Sequence, residues 1–182
     1  MSNKGYSLER EIELLFVEIE GTTLDVPFFK RSHRVSFSGA MRGEKGDVVG
    51  LFSFLKFPLL VECKSRCIKN KKDQIIYLEE EWLPKITEEA KSIGALPLLI
   101  VSFKRKQLKR IWVVMYKNHF EVLFGKVENI PEVKLKKGKK NIVLSYNIMK
   151  DYELFQFENL IIFVLEKLVN RLKEIRDGMR KV

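Results

Sequence analysis

Cysteine, histidine and proline are all scarce in this chain, and each scarcity closes off a class of protein. Its 182 residues hold two cysteines, Cys63 and Cys67, and two histidines, His33 and His119, far apart in sequence. Two thiols cannot staple a disulfide scaffold, and Cys63 lies inside an alternating apolar stretch that reads as a strand. Nor do these few side chains assemble a zinc framework. Long hydrophobic runs are missing: the longest, Leu160 to Leu165, falls far short of the ~20 residues that cross a bilayer. The opening Met1-Ser2-Asn3-Lys4-Gly5 is polar and leads straight into a helical pattern, so no cleavable signal is expected and the expected setting is reducing and cytoplasmic. Internal repeats are absent, and the only low-complexity tract is a lysine-rich loop. Acids are outnumbered, 24 against 34 Lys and Arg, for a net charge of +10.

What is present fits one globular domain with an elaborated end. At 46% hydrophobic residues, a chain of this length buries roughly 70% of its unfolded surface and folds without disulfide or structural metal. The basic excess points to a polyanionic partner, either nucleic acid or an acidic membrane surface. It is clustered at Lys64, Arg66, Lys69, Lys71 and Lys72, then at Lys104 to Arg110, then at Lys134 to Lys140. Each cluster falls in an expected loop, from which long side chains can reach phosphates. The competing reading is the solvated, lysine-rich surface common in heat-stable proteins.

Periodicity predicts a helix over 7–20, with Leu8, Ile12, Leu15, Phe16 and Ile19 on one face, Ser7 as cap and Gly21 as stop. Strands are predicted at 34–37, 47–51, 59–64, 97–103 and 111–116, with a short extended piece at 75–78. A second helix is predicted over 79–93, where Pro84 can mark the true start. Beyond Lys117 the expectation is strands at 120–124 and 141–146 joined by the third basic loop, then one long helix from Asp151 to the end. The glycine-rich stretch 38–46 suits either a close backbone approach to a ligand or a long hairpin connection, and matches no P-loop. The resulting order implies a mixed sheet with helices packed on it.

The sharpest local signal is Leu59-Leu60-Val61-Glu62-Cys63-Lys64. With a side-chain period of two, Glu62 and Lys64 share a face while Leu59, Val61 and Cys63 enter the core. If the strand containing Asp47 lies alongside, two carboxylates and an ammonium gather on the edge of an apolar sheet. Their desolvation cost is high unless a cation or phosphate offsets it. The alternatives are ordinary ones. Asp47 then serves as a turn residue, Glu62 and Lys64 as an exposed ion pair, and Glu9 as a first-turn acid favoured by the helix dipole.

Several segments resemble one family in consistent order over residues 4–116. Lys4-Gly5-Tyr6-Ser7-Leu8-Glu9-Arg10-Glu11 resembles the opening of archaeal-type Holliday junction resolvases. Arg34-Val35-Ser36-Phe37-Ser38-Gly39-Ala40 is similar to their arginine-bearing loop. Lys45-Gly46-Asp47-Val48-Val49 and Val61-Glu62-Cys63-Lys64 resemble the two halves of the PD-(D/E)xK nuclease signature, with Gly46 where proline is usual. Residues 82–104 resemble the helix-Gly-x-x-Pro-strand segment that follows.

The resemblance implies an α/β fold, a restriction-endonuclease-like core over 1–116 with a central mixed sheet flanked by helices. Residues 117–182 would be a C-terminal β and long-helix extension, packed on that core or at a dimer interface. It implies that Glu9, Asp47 and Glu62, with the Cys63 backbone carbonyl, hold Mg²⁺ (Mn²⁺ substituting), and that Lys64 orients or deprotonates the attacking water. Arg10, Arg34, Ser38, Arg42, Lys45, Arg66, Lys69, Lys71 and Lys72 would contact DNA. The implied activity is resolution of four-way junctions by paired nicks in a homodimer, its contact drawn from Trp82, Trp112 or the C-terminal helix, with no membrane partner. A restriction- or repair-type nuclease on duplex or branched DNA, and a non-catalytic DNA-binding module, are the competing functions.

Overall fold

The computed structural model describes residues 4–23, 25, 27, 30–35, 46–65, 68–70, 73–103 and 111–179. Helix α1 (Lys4–Glu20) forms because Leu8, Ile12, Phe16 and Ile19 recur at helical spacing, and all four are fully buried. It begins ahead of Ser7, the residue expected to cap it. Gly21 ends it in the left-handed region (φ 79°), where its N–H and that of Thr22 both donate to the Val17 carbonyl. Strands β1 (His33–Arg34), β2 (Val48–Gly50) and β3 (Leu59–Lys64) follow, then a ribbon of β4 (Ile68–Asn70) and β5 (Asp73–Glu79). Helix α2 (Trp82–Ser92) leads to β6 (Leu96–Ser102) and β7 (Ile111–Tyr116). The remainder is α3 (Lys117–Phe124), β8 (Lys136–Lys137), β9 (Asn141–Ser145), α4 (Tyr146–Met149), β10 (Leu154–Phe157), β11 (Leu160–Val164) and α5 (Leu165–Met179).

The principal sheet has the order β1-β2-β3-β6-β7-β11-β10. Only β3 and β6 run parallel, joined through the β4–β5 ribbon and α2 as a parallel pair requires. Every residue of β6 is buried, as its unbroken apolar run predicts for a central strand. Helices α1, α3 and α5 cover one face, over a core containing Val61, Cys63, Ile100, Val113 and Phe163. The other face, with Leu60, Leu99, Trp112 and Ile162, lies beneath α2 and a second sheet ordered β4-β5-β9-β8.

The second helix starts at Trp82 because Glu79 belongs to β5, and Pro84 falls in its first turn, where a missing N–H costs nothing. Ile93, the last residue of the predicted helix, is its exposed C-cap residue. Two expectations beyond Lys117 fail. Residues 120–124 are helical, because Phe120, Leu123 and Phe124 sit at helical spacing and the two phenylalanine rings stack 4.4 Å apart. The long helix from Asp151 is instead the β10–β11 hairpin, turning at Glu158 (φ 53°), followed by the shorter α5. Phe155 and Phe157 alternate with half-exposed neighbours, a period of two, and Leu160–Val164 is buried throughout, as only an inner strand is. Because β11 pairs with β7, residues expected as an extension supply two strands of the principal sheet. Trp112, expected at a dimer contact, is 1% exposed and packs edge-on to Phe155 inside the second core.

Candidate active site

The site grows from the contact between β2 and β3. Leu59, Val61 and Cys63 point into the first core, Leu60 into the second, and Glu62 and Lys64 emerge half-buried on the α2 side. Gly46, at φ 73°, lets the chain close tightly on β3. A Cβ there would sit 3.0 Å from Leu60 Cδ1 and 3.1 Å from the Val61 carbonyl oxygen. The Asp47 N–H donates to the Val61 carbonyl at 2.7 Å, and the Cys63 N–H donates to Asp47 Oδ2 at 2.7 Å. Backbone and side chain of Asp47 are thus both fixed against the segment carrying Glu62.

Electrostatics tie the acids together. Burial pushes the Asp47 carboxyl up to about 6, Glu62 and Glu9 push the same way, and the Cys63 N–H and Lys64 oppose them. Glu9 on α1 is likewise raised, chiefly by burial and further by Glu62, against Arg34 and Lys64. The Cys63 thiol is pushed far up by burial and by Asp47, Glu9 and Glu62, which leaves it inert as a nucleophile. The Lys64 ammonium pairs with Glu62 Oε1 and lies 5.2 Å from the centre of the Trp82 ring. A cavity of about 100 Å³ opens there, lined by Glu62, Lys64, Trp82 and Lys85 among others. A larger one, about 370 Å³, lies at the opposite end of β3 around Phe52, Phe57 and Pro58, and contains none of these residues.

The donor chemistry suits a hard divalent cation. Glu9, Asp47 and Glu62 are oxygen donors whose mutual repulsion and desolvation are relieved by positive charge. Among the described residues, though, no three His, Cys, Asp or Glu side chains close into a set that could hold a metal ion. Glu62 is turned to Lys64 and Asp47 to the Cys63 N–H, so these two acids already have protein partners.

Arg10 and Arg34, both expected to contact DNA, converge on one carboxylate. Both donate to Glu13, Arg10 Nη1 at 2.6 Å and Arg34 Nε at 3.0 Å, and Arg31 Nη1 joins them at 2.9 Å. Glu13 and Arg31 are not among the residues that the sequence singles out for the site. The available signal was that Glu13 follows Ile12 and lies one turn after Glu9, at the border of the apolar stripe. Ser38, Arg42, Lys45, Arg66, Lys71 and Lys72 lie outside the described residues, and of Lys69 only its backbone in β4 is described.

Comparison with known proteins agrees with this architecture. A family model described as "Phage putative PDDEXK endonuclease" matches residues 1–173. The structure of Archaeoglobus fulgidus Hjc, a Holliday junction resolvase from an archaeal hyperthermophile, is similar at a TM-score of 0.51 and 13% identity, over 91% of this chain and 99% of that one. At that identity the likeness shows the fold, a mixed sheet flanked by helices of the restriction-endonuclease-like type. No curated protein matches the chain. With nearly its whole length covered by the family model, the chain belongs to this family of phage PD-(D/E)xK endonucleases.

Proposed function

We propose that the protein is a divalent-metal-dependent, structure-selective DNA endonuclease that cuts four-way junctions by paired nicks. The reading is supported above all by Asp47, pinned by the Cys63 N–H beside the Glu62–Lys64 pair and feeling Glu9 as a neighbour. Glu9, Asp47, Glu62 and the Cys63 carbonyl would hold Mg²⁺ or Mn²⁺, which supplies charge neutralisation and an acidified water when bound. The Cys63 N–H keeps the Asp47 carboxylate aimed along β3. Lys64 leaves Glu62 to orient the attacking water, and the Trp82 ring limits where its ammonium can swing. Arg10 and Arg34 grip phosphates flanking the scissile bond, and the basic surface follows the backbone without reading bases. The products are a 5′-phosphate and a 3′-hydroxyl.

The test sets four-way junction, linear duplex and single-stranded DNA against the protein with and without Mg²⁺. Symmetric nicks on the junction that need Mg²⁺ are the expected result. Glu62→Gln is expected to lower cleavage by about 10²-fold or more while leaving junction binding in place. Cuts confined to duplex would assign a restriction- or repair-type substrate, and undiminished cutting by Glu62→Gln would sink the assigned chemistry.

A further inference from the structure

Glu13 is 3% exposed, an unusual position for a carboxylate. Its Oε1 accepts from Arg31, and its Oε2 from both Arg10 and Arg34. Burial alone would raise this carboxyl, but the hydrogen bonds from Arg31, Arg10 and Arg34 outweigh it and hold the group below the usual carboxylate range. One anion therefore organises three guanidiniums drawn from α1, β1 and the approach to β1. A purely structural ion pair needs only one of them. The cluster also lies next to the candidate chemistry, since the Arg34 charge lowers the Glu9 carboxyl against the effect of its burial. Arg31 is the deepest of the three, its side chain 12% exposed, against 21% for Arg34 and 37% for Arg10.

We propose that Glu13, anchored by Arg31, is a positioning residue that holds Arg10 and Arg34 as a preformed clamp for a DNA backbone phosphate beside the one cut. The clamp rests on the nuclease reading above for the polymer to which that phosphate belongs. A guanidinium already fixed by a buried carboxylate loses less rotamer freedom on meeting a phosphate, and its planar fork suits phosphate oxygens.

Charge and position make opposite predictions for Glu13→Gln. Removing a negative charge near DNA tightens binding on Coulombic grounds alone. Loss of the clamp weakens it. Junction affinity is measured with Ca²⁺ replacing Mg²⁺ for wild type and Glu13→Gln, and steady-state cleavage with Mg²⁺, after thermal melts show which variants are folded at the assay temperature. The expected result is about tenfold weaker affinity with a matching rise in KM and a smaller change in kcat. A folded Glu13→Gln that binds as tightly as wild type, or more tightly, overturns the clamp. If Glu13→Gln does not stay folded, Glu13→Asp decides. It keeps the charge and shortens the arm, so several-fold weaker binding supports the clamp and unchanged binding refutes it. Wild type that binds junction and duplex but cuts neither would fail the nuclease reading instead, leaving the affinity comparison intact.

Discussion

Asp47 lies at the centre of the candidate site, and its titration has a measurable consequence. Its carboxyl lies near 6 instead of the usual 3.8, because burial and the neighbouring Glu62 and Glu9 disfavour the charged form. The folded chain therefore holds a proton across that window more tightly than the unfolded chain does. With no divalent cation present, the contribution is favourable below 3.8, lost as pH rises toward 6, and level above it. The loss is at most about 2–3 kcal/mol. In chelator, the stability of wild type relative to Asp47→Asn is expected to fall between about pH 4 and 6.5 in melting curves. Mg²⁺ should restore the lost stability, and only once the pH exceeds about 6, because the ligand must be ionised. A wild-type to Asp47→Asn difference of the opposite sign would remove Asp47 from its buried, acid-flanked position. Gly46 is the second residue with a sharp expectation. An alanine there combines a left-handed φ with contact on Leu60 and the Val61 carbonyl, so Gly46→Ala is expected to cost about 1–3 kcal/mol and to displace Asp47. Melting temperature and cleavage rate should fall together. The grouping of Glu62 and Lys64 was legible in the sequence because a period of two leaves no choice of face. Glu13 was not legible, because a carboxylate on the rim of an apolar helix stripe looks the same whether water or three arginines surround it.

At the scale of elements, the β8–β9 hairpin links the third basic cluster to the rest of the surface. Lys136, Lys139 and Lys140 are exposed, and none of them makes an ion pair among the described residues. Pairing of β9 with β5 brings the turn to the start of α2, where the Glu80 N–H donates to the Lys140 carbonyl at 2.9 Å. Trp82, which faces Lys64, begins that helix. Replacing Lys136, Lys139 and Lys140 with Gln is expected to weaken binding uniformly across DNA sequences. The slope of log K against log salt should shrink by about 2–3, with kcat retained at saturating DNA. An unchanged slope in fluorescence anisotropy titrations would place the DNA path elsewhere. The lysines were plain in the sequence, but their proximity to the site depends on long-range pairing that local patterning does not record. The same limit explains the misread C-terminal region. Between Leu154 and Val164 eight of the eleven residues are apolar, so helical spacing can be found in it as easily as strand alternation. The deciding fact is that β7 needs a partner on its open edge, and that is a property of the sheet.

For the molecule as a whole, the proposed pair of cuts sets a requirement on stoichiometry, since one chain holds one candidate centre. Symmetric nicks on a four-way junction require two centres related by a two-fold axis, hence two chains. Trp112 cannot supply the contact, since it is sealed inside the second core. Among the described residues, the large exposed apolar side chains on the helices over the first core are Leu14 on α1, Val122 on α3 and Met179 on α5. Such a surface fits a modest interface, and a chain with net charge +10 also repels its own copy until DNA neutralises it. Assembly is therefore expected to depend on concentration and to be promoted by the junction. A supercoiled plasmid that extrudes a cruciform reads this directly. At low protein, single encounters should release nicked circles, and at high protein both strands should be cut within one complex to give linear DNA without a nicked intermediate. Sedimentation over the same concentrations should show the dimer appearing as the linear product does. Nicked circles accumulating at every concentration, with a mass that stays monomeric on junction DNA, would mean that each chain cuts alone, and the activity would then be branch-directed nicking instead of resolution.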